Sequence, residues 1–237
     1  VANQARDDAP SIAWRSGRYG AALLAYLRCL VTSPLATPPA PPAPAWSREM
    51  NVLATGQTGE REVQSALAEL LNDDWTAVSG YKNPRGEVDL LLIGPPGIFA
   101  LEVKAISGHV FCDGDTWWKD KYDRYRNLVE TRLPIADQRG RSPSRQLNEP
   151  IDMLQAQLRR CSVDVRISRG VVLAHRSSQI GQVIDPTVHF VGTTRDLRDR
   201  IFADIAAQPC HDRLFVTRVV EAVLRDHDFH ARSYRQR

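Results

Sequence analysis

The chain has 237 residues, 43% hydrophobic and 25% charged, with a formal net charge of +3. That composition fits a soluble globular protein with one main domain and accessories, and the charge is too small to argue for nucleic acid by itself. Four scattered cysteines with no C-x-x-C exclude a disulfide framework and a zinc site and predict a reducing, cytoplasmic setting.

The most apolar N-terminal stretch, residues 21–31, is interrupted by Arg28 and is far shorter than the ~20 residues a membrane span needs. Residues 1–33 therefore read as a loosely attached helical segment. It lies on a membrane or a partner protein, or ends a signal-like segment, and the opening Val1 fits a missing or processed N-terminus. Residues 34–56 read as a linker. Its proline-rich part, 34–45, suits a polyproline II spacer of about 35 Å at ~3.1 Å per residue.

The globular part is predicted from Thr58, a candidate N-cap. Over 59–71, Val63, Ala66, Leu67, Leu70 and Leu71 recur at helical spacing. Residues 75–81 read as a strand, and Asn83-Pro84-Arg85-Gly86 as a turn. Then comes Gly86-Glu87-Val88-Asp89-Leu90-Leu91-Leu92-Ile93, the turn Gly94-Pro95-Pro96-Gly97, and Ile98-Phe99-Ala100-Leu101-Glu102-Val103-Lys104. Two apolar runs about a Gly/Pro turn predict an antiparallel hairpin. A second hairpin is expected around Asp113-Gly114-Asp115, and 119–145 has no clear element.

A helix carrying Leu147, Ile151, Leu154 and Leu158 follows. It starts at Ser142-Pro143 with a bend at Pro150, or only near Asn148. Short strands at 170–174 and 189–192, then helices at 196–206 and 212–225, complete the chain. His227 and His230 read as surface residues, and Arg232, Arg235 and Arg237 as a flexible basic tail. No Ser-His-Asp order, P-loop or dinucleotide fingerprint is present.

If the hairpin turn is symmetric, Asp89 sits opposite Glu102, and the period of two puts Glu102 and Lys104 on one face. Opposed acids repel, so an apolar sheet that carries them needs a compensating charge. A divalent cation with oxygen ligands is the simplest one. With no thiolate or histidine cluster beside the acids, Mg²⁺ or Mn²⁺ is expected. The plain alternative is cross-strand ion pairing, since the same register puts Glu87 opposite Lys104. Glu60 falls in phase with Val63, Leu67 and Leu71. It is either a charge complementing a helix N-terminus or a third acid near the metal. Trp117, Trp118, Lys119, Lys121, Tyr122, Arg124, Tyr125 and Arg126 interleave aromatics with bases, as a nucleic-acid surface does. Asp113, Asp115, Asp120 and Asp123 offset that charge, so a solvated face is the competing reading. Arg132, Arg139, Arg141 and Arg145 extend the basic character toward Gln146.

Asp-x12-Glu-x-Lys on adjacent strands resembles the PD-(D/E)xK nuclease superfamily, and within it the nuclease-related (NERD) domains. Gly59-Glu60, Gly86-Glu87-Val88-Asp89, the Gly94-to-Phe99 turn, Leu101-Glu102-Val103-Lys104, Trp117 or Trp118, and Ser142-Pro143-x-x-Gln146 carry the resemblance. The chain departs from the pattern in having Val88, not proline, before Asp89, and in Pro150. The resemblance implies an α/β, restriction-endonuclease-like core: a helix, a three-stranded antiparallel sheet, a helix and a strand. That core is placed at 57–178, with a C-terminal strand and helices packing on it at 179–237. It implies a metal held by Asp89, Glu102 and the Val103 carbonyl, with Lys104 activating water or stabilising the phosphate, and Glu60 and Gln146 assisting. Trp118, Lys119, Lys121, Arg141 and Arg145 are the expected nucleic-acid contacts. DNA is the expected substrate, with RNA not excluded, and no small-molecule cofactor is expected. The alternative is an inactive nucleic-acid- or protein-binding module on the same fold.

Overall fold

The apolar hairpin becomes the centre of a six-stranded sheet. The computed structural model describes residues 14–15, 48–68, 71, 73–207 and 210–235; the expectations for 1–13 and 16–47, proline-rich stretch included, and for Arg237 lie outside them. Its elements are β1 (Trp14–Arg15), α1 (Arg48–Ala68), β2 (Thr76–Asn83), β3 (Gly86–Gly94), β4 (Gly97–Lys104), β5 (Gly108–Asp113), β6 (Thr116–Tyr122) and β7 (Leu128–Pro134). They continue with α2 (Pro143–Arg160), β8 (Ile167–Leu173), β9 (Ser178–Ile184), β10 (Phe190–Thr193), α3 (Thr194–Ala207) and α4 (Arg213–Arg235).

The large sheet runs β1-β2-β3-β4-β8-β10, and a second sheet runs β7-β6-β5-β9. Strands β2, β3 and β4 are antiparallel neighbours, whereas β4 with β8 and β8 with β10 are parallel. A parallel neighbour needs a crossover, and α2 lies in the segment joining β4 to β8. The continuous apolar runs of β3 and β4 follow from burial on both faces. On one face Leu91, Ile93, Ile98 and Ala100 pack with Leu147, Ile151, Leu154 and Leu158 of α2 and with Val216, Val219, Val220 and Val223 of α4. On the other, Leu90, Leu92, Phe99 and Leu101 pack with Val63 and Leu67 of α1 and Leu197 and Ile201 of α3. This is the α/β core expected for a nuclease-like domain. Among the described residues, no helix is long and apolar enough to cross a membrane.

Three local expectations are corrected, and of the two starts expected for the Leu147 helix the earlier one is observed. Helix α1 begins at Arg48, so Thr58 lies mid-helix and is no N-cap; the last proline upstream is Pro44, and nothing after it stops a helix. Pro150 sits inside a single α2 that starts at Pro143. Its buried ring lies against Gly86, and its carbonyl accepts Asn83 Nδ2 at 2.8 Å. Helix α4 runs on to Arg235, so Arg232 and Arg235 are helical, not a tail. His227 is 6% exposed and its Nδ1 accepts the Lys82 N–H at 3.1 Å, while His230 Nε2 lies 3.6 Å from Asp226. The buried stripe Val216, Val220, Val223 simply continues through His227 at helical spacing.

Candidate metal centre and active site

The β3–β4 register is the symmetric one, with Ile93 opposite Ile98 and Leu90 opposite Leu101. The next pair would be Asp89 and Glu102, and there the ladder stops. Asp89 takes over its role: Oδ2 accepts the Val103 N–H at 2.7 Å. A slip in the pleat allows this. Val88 and Leu91 both join the α2-side core, although residues three apart on a regular strand face opposite ways. On β2, Ser79 pairs with Leu90 and Tyr81 with Val88, leaving Gly80 unpaired opposite Asp89. Gly80 has φ +63, a conformation that costs glycine little and other residues more.

The backbone of Val103 is turned toward the same gap. Even-numbered β4 residues bond β8: Ile98 N–H donates to Arg166 O at 2.9 Å, and Lys104 O accepts Ala174 N–H at 3.0 Å. By alternation, Val103 presents both its N–H and its carbonyl toward β3. Beyond Leu101 no β3 residue pairs there.

Glu102 is 3% exposed, and Lys104 Nζ lies 2.5 Å from its Oε1. Lys104 also donates to Gln146 Oε1 at 2.9 Å, and Gln146 Nε2 donates to the Arg141 carbonyl at 2.9 Å. Burial, and then the Asp89 charge, push the Glu102 carboxyl up to about 8 against the pull of Lys104. Burial raises Asp89 as well, with the Val103 N–H and Lys104 opposing. Burial also pushes Glu60 up to about 7, with Asp89 and Glu87 adding to it. Burial and neighbouring negative charge thus raise all three acids against the pull of Lys104.

Glu60 reaches the site because α1 packs closely on the sheet. A Cβ on Gly59 would lie 3.0 Å from Ala174 Cβ and 3.3 Å from Ala105 Cβ. With α1 starting at Arg48, Glu60 lies far past the first turn, where a helix dipole is felt. The helix-terminus reading of Glu60 is thereby removed. Of the ion pairs expected on the plain reading of the hairpin, Glu87–Lys104 does not form: Glu87 pairs with Lys82 of β2 at 3.2 Å, and Lys104 pairs with Glu102.

Among the described residues no three His, Cys, Asp or Glu side chains close around one point. The oxygen donors at this end of the hairpin are the Asp89 and Glu102 carboxyls and the Val103 carbonyl, groups that could hold a hard divalent ion.

The second sheet fixes Gln146. Ser142 caps α2, accepting the Arg145 N–H at 3.1 Å, and donates to Asp115 Oδ1 at 2.6 Å. Ser144 also donates to Asp115, and Trp117 Nε1 donates to Ser144 Oγ at 2.9 Å. Asp115 and Ser144 have no part in the sequence-based site. The signal for them was their place beside Trp117 and Ser142, the motif positions they tie together.

The expected nucleic-acid contacts fall on two elements. Trp118, Lys119 and Lys121 are on β6, whereas Arg141 and Arg145 bracket the start of α2. Trp118 stacks on Phe111 with 5.7 Å between centroids, under the Arg132 guanidinium. Lys121 pairs with Glu130 at 3.3 Å, Arg141 with Asp137 at 2.8 Å, and Arg145 with Glu149 at 2.7 Å. These three bases already have acidic partners.

No curated protein and no solved structure matches the chain. The family model of the nuclease-related domain matches residues 55–174, half of the sequence and the whole of the segment carrying the acids, the lysine and Gln146. The chain belongs to the nuclease-related (NERD) domain family.

Proposed function

We propose that the chain is a Mg²⁺- or Mn²⁺-dependent nuclease that hydrolyses DNA phosphodiester bonds. The observation that carries this reading is the pair Asp89 and Glu102 at the end of the β3–β4 ladder, coupled electrostatically, with Lys104 held between Glu102 and Gln146. A divalent ion at this place would supply charge neutralisation for phosphate oxygens and a water of lowered pKa. Asp89, Glu102 and the Val103 carbonyl would hold it. Lys104 keeps its ammonium at a fixed point beside the acids, where it orients the attacking water or donates to the scissile phosphate as negative charge builds there. Gln146, oriented by the Arg141 carbonyl, stops Lys104 from collapsing wholly onto Glu102. Glu60 assists from the α1 side.

The test is cleavage of linear and circular DNA, with matched RNA alongside. Nicking with Mg²⁺ or Mn²⁺ that stops with chelator, and is lost in Asp89→Ala and in Lys104→Ala while both remain folded, is the expected result. Unchanged cleavage in either variant rejects its role. Absence of Mn²⁺ binding by calorimetry would instead fit a non-catalytic module.

A further inference from the structure

We infer that the groove between α2 and α4 binds the phosphodiester backbone of the nucleic acid, carrying it away from the acid cluster; the inference rests on the nuclease reading for the class of ligand. The groove has a volume of about 1330 Å³, and Arg85, Arg160, Arg218 and Arg225 line it, all exposed. Acids line it as well, but most are engaged. Glu149 is held by Arg145 and Arg141, Asp152 by Arg169, and Asp226 by Tyr81 and His230. Among the described residues, none of the four arginines has a carboxylate within ion-pair distance, while Glu221 and Asp226 are lining acids that no lysine or arginine pairs, Asp226 being held by a tyrosine hydroxyl and a histidine. Four unpaired guanidinium groups against two such acids suit a polyanion.

Arg218 and Arg225 are seven residues apart on one face of α4, about 10.5 Å along its axis, so both guanidinium groups face the same side of the groove. Arg232 continues the same stripe.

A shared lining residue, Pro84, puts the groove beside a second cleft lined by Lys82, Arg139 and Arg141 together with Glu87 and Asp137. Arg141 in turn gives its carbonyl to Gln146 and its charge to Glu102. The arginines of α4 lie beyond residue 174, where the family match ends, so this track is a feature of the C-terminal extension of this chain.

The experiment measures binding of a labelled 20-nucleotide DNA, single-stranded and duplex, to the full chain in EDTA across a salt series. In Arg218→Gln/Arg225→Gln, affinity should fall about tenfold or more, and the slope of log K against log salt should lose about 2, roughly 1 per phosphate contact removed. Arg195→Gln/Arg213→Gln removes equal charge from exposed sites outside the groove and should change affinity less than about twofold. As a second readout, Cys161 lines the groove and is exposed, whereas Cys210 is exposed outside it. DNA should slow alkylation of Cys161 and leave Cys210 unchanged. Equal losses in the two double variants, or an unprotected Cys161, would overturn the inference. A chain that cleaves with Mn²⁺ yet fails these tests keeps the nuclease reading and loses the groove. One that passes them and never cleaves does the reverse.

Discussion

The Asp89 carboxylate and the Val103 backbone are joined by a 2.7 Å hydrogen bond that stands in for the next rung of the β3–β4 ladder. One oxygen of Asp89 is therefore fixed by the fold, and the carboxyl is aimed into the gap where the strands part. Asp89→Asn should keep that bond, since an amide oxygen also accepts an N–H. It also removes one of two buried acids that repel each other. The expected outcome is a folded variant with an equal or higher Tm in EDTA and Mn²⁺ affinity lower by about tenfold or more. Calorimetry and thermal melts check both halves, and undiminished Mn²⁺ binding would remove Asp89 from the ligand set.

The raised carboxyls make a pH prediction with a definite sign. Glu102 titrates at about 8 and Glu60 at about 7 in the folded chain, both above 4.5. The native state therefore holds more protons than the unfolded state between those values, and stability declines as pH rises through the window. Each such proton contributes up to about 1.4 kcal/mol per pH unit. Burial lowers His227, which works in the opposite direction below 6.5, so the clean interval is pH 6.5 to 8. In EDTA the Tm should fall across it, and Glu102→Gln should flatten the fall. Mn²⁺ competes with the protons, so its stabilising effect should grow with pH. A Tm that does not change with pH in EDTA would contradict the electrostatics of the site.

The acids and the lysine were legible because the β3–β4 hairpin is nearly symmetric and apolar on both sides, so its register follows from the turn alone. The expected Asp89–Glu102 pair falls one step past the last rung, Leu90–Leu101, where Asp89 accepts the Val103 N–H instead. The slip at Gly80 was not legible, since a single glycine in a strand is also an ordinary residue. Nor was β9, whose run Ser178–Ile184 is mostly polar or half-exposed and pairs in parallel with β5; its partner is distant in sequence and local pattern says nothing of it. The start of α1 and the end of α4 were missed for another reason. Helix ends are set by packing partners more than by propensity, and His227 reads as a surface residue until α4 is laid on β2. Asp115 looked like charge dilution beside a basic run, whereas the fold spends it on Ser142 and Ser144.

Gln146 separates positioning from ligation. Its amide touches Lys104 and the Arg141 carbonyl, and no acid of the site. Gln146→Ala should leave Mn²⁺ affinity within about twofold, because the ligands keep their own partners. Cleavage should fall by about tenfold or more as Lys104 loses its second anchor, a misplacement of the kind that is costly to rate. Metal affinity by calorimetry, compared with the single-turnover rate, distinguishes the two. A parallel loss of both would make Gln146 part of the metal shell instead.

Gly80 and Gly114 provide a paired test of the slipped pleat. Both have positive φ, +63 and +57, so alanine at either position meets a left-handed backbone that costs roughly 1–2 kcal/mol. Their surroundings differ. A Cβ on Gly114 meets nothing within 4 Å, whereas one on Gly80 lies 3.1 Å from Glu87 Oε1, opposite Asp89. Gly114→Ala should therefore lose stability alone, with Mn²⁺ affinity unchanged. Gly80→Ala should lose a similar amount and also weaken Mn²⁺ binding, because a strand that regains its regular pleat turns Asp89 away from Val103. Urea melts give the first quantity and calorimetry the second. If both variants bind Mn²⁺ as the unmodified chain does, the slip is incidental and Asp89 is aimed by something else.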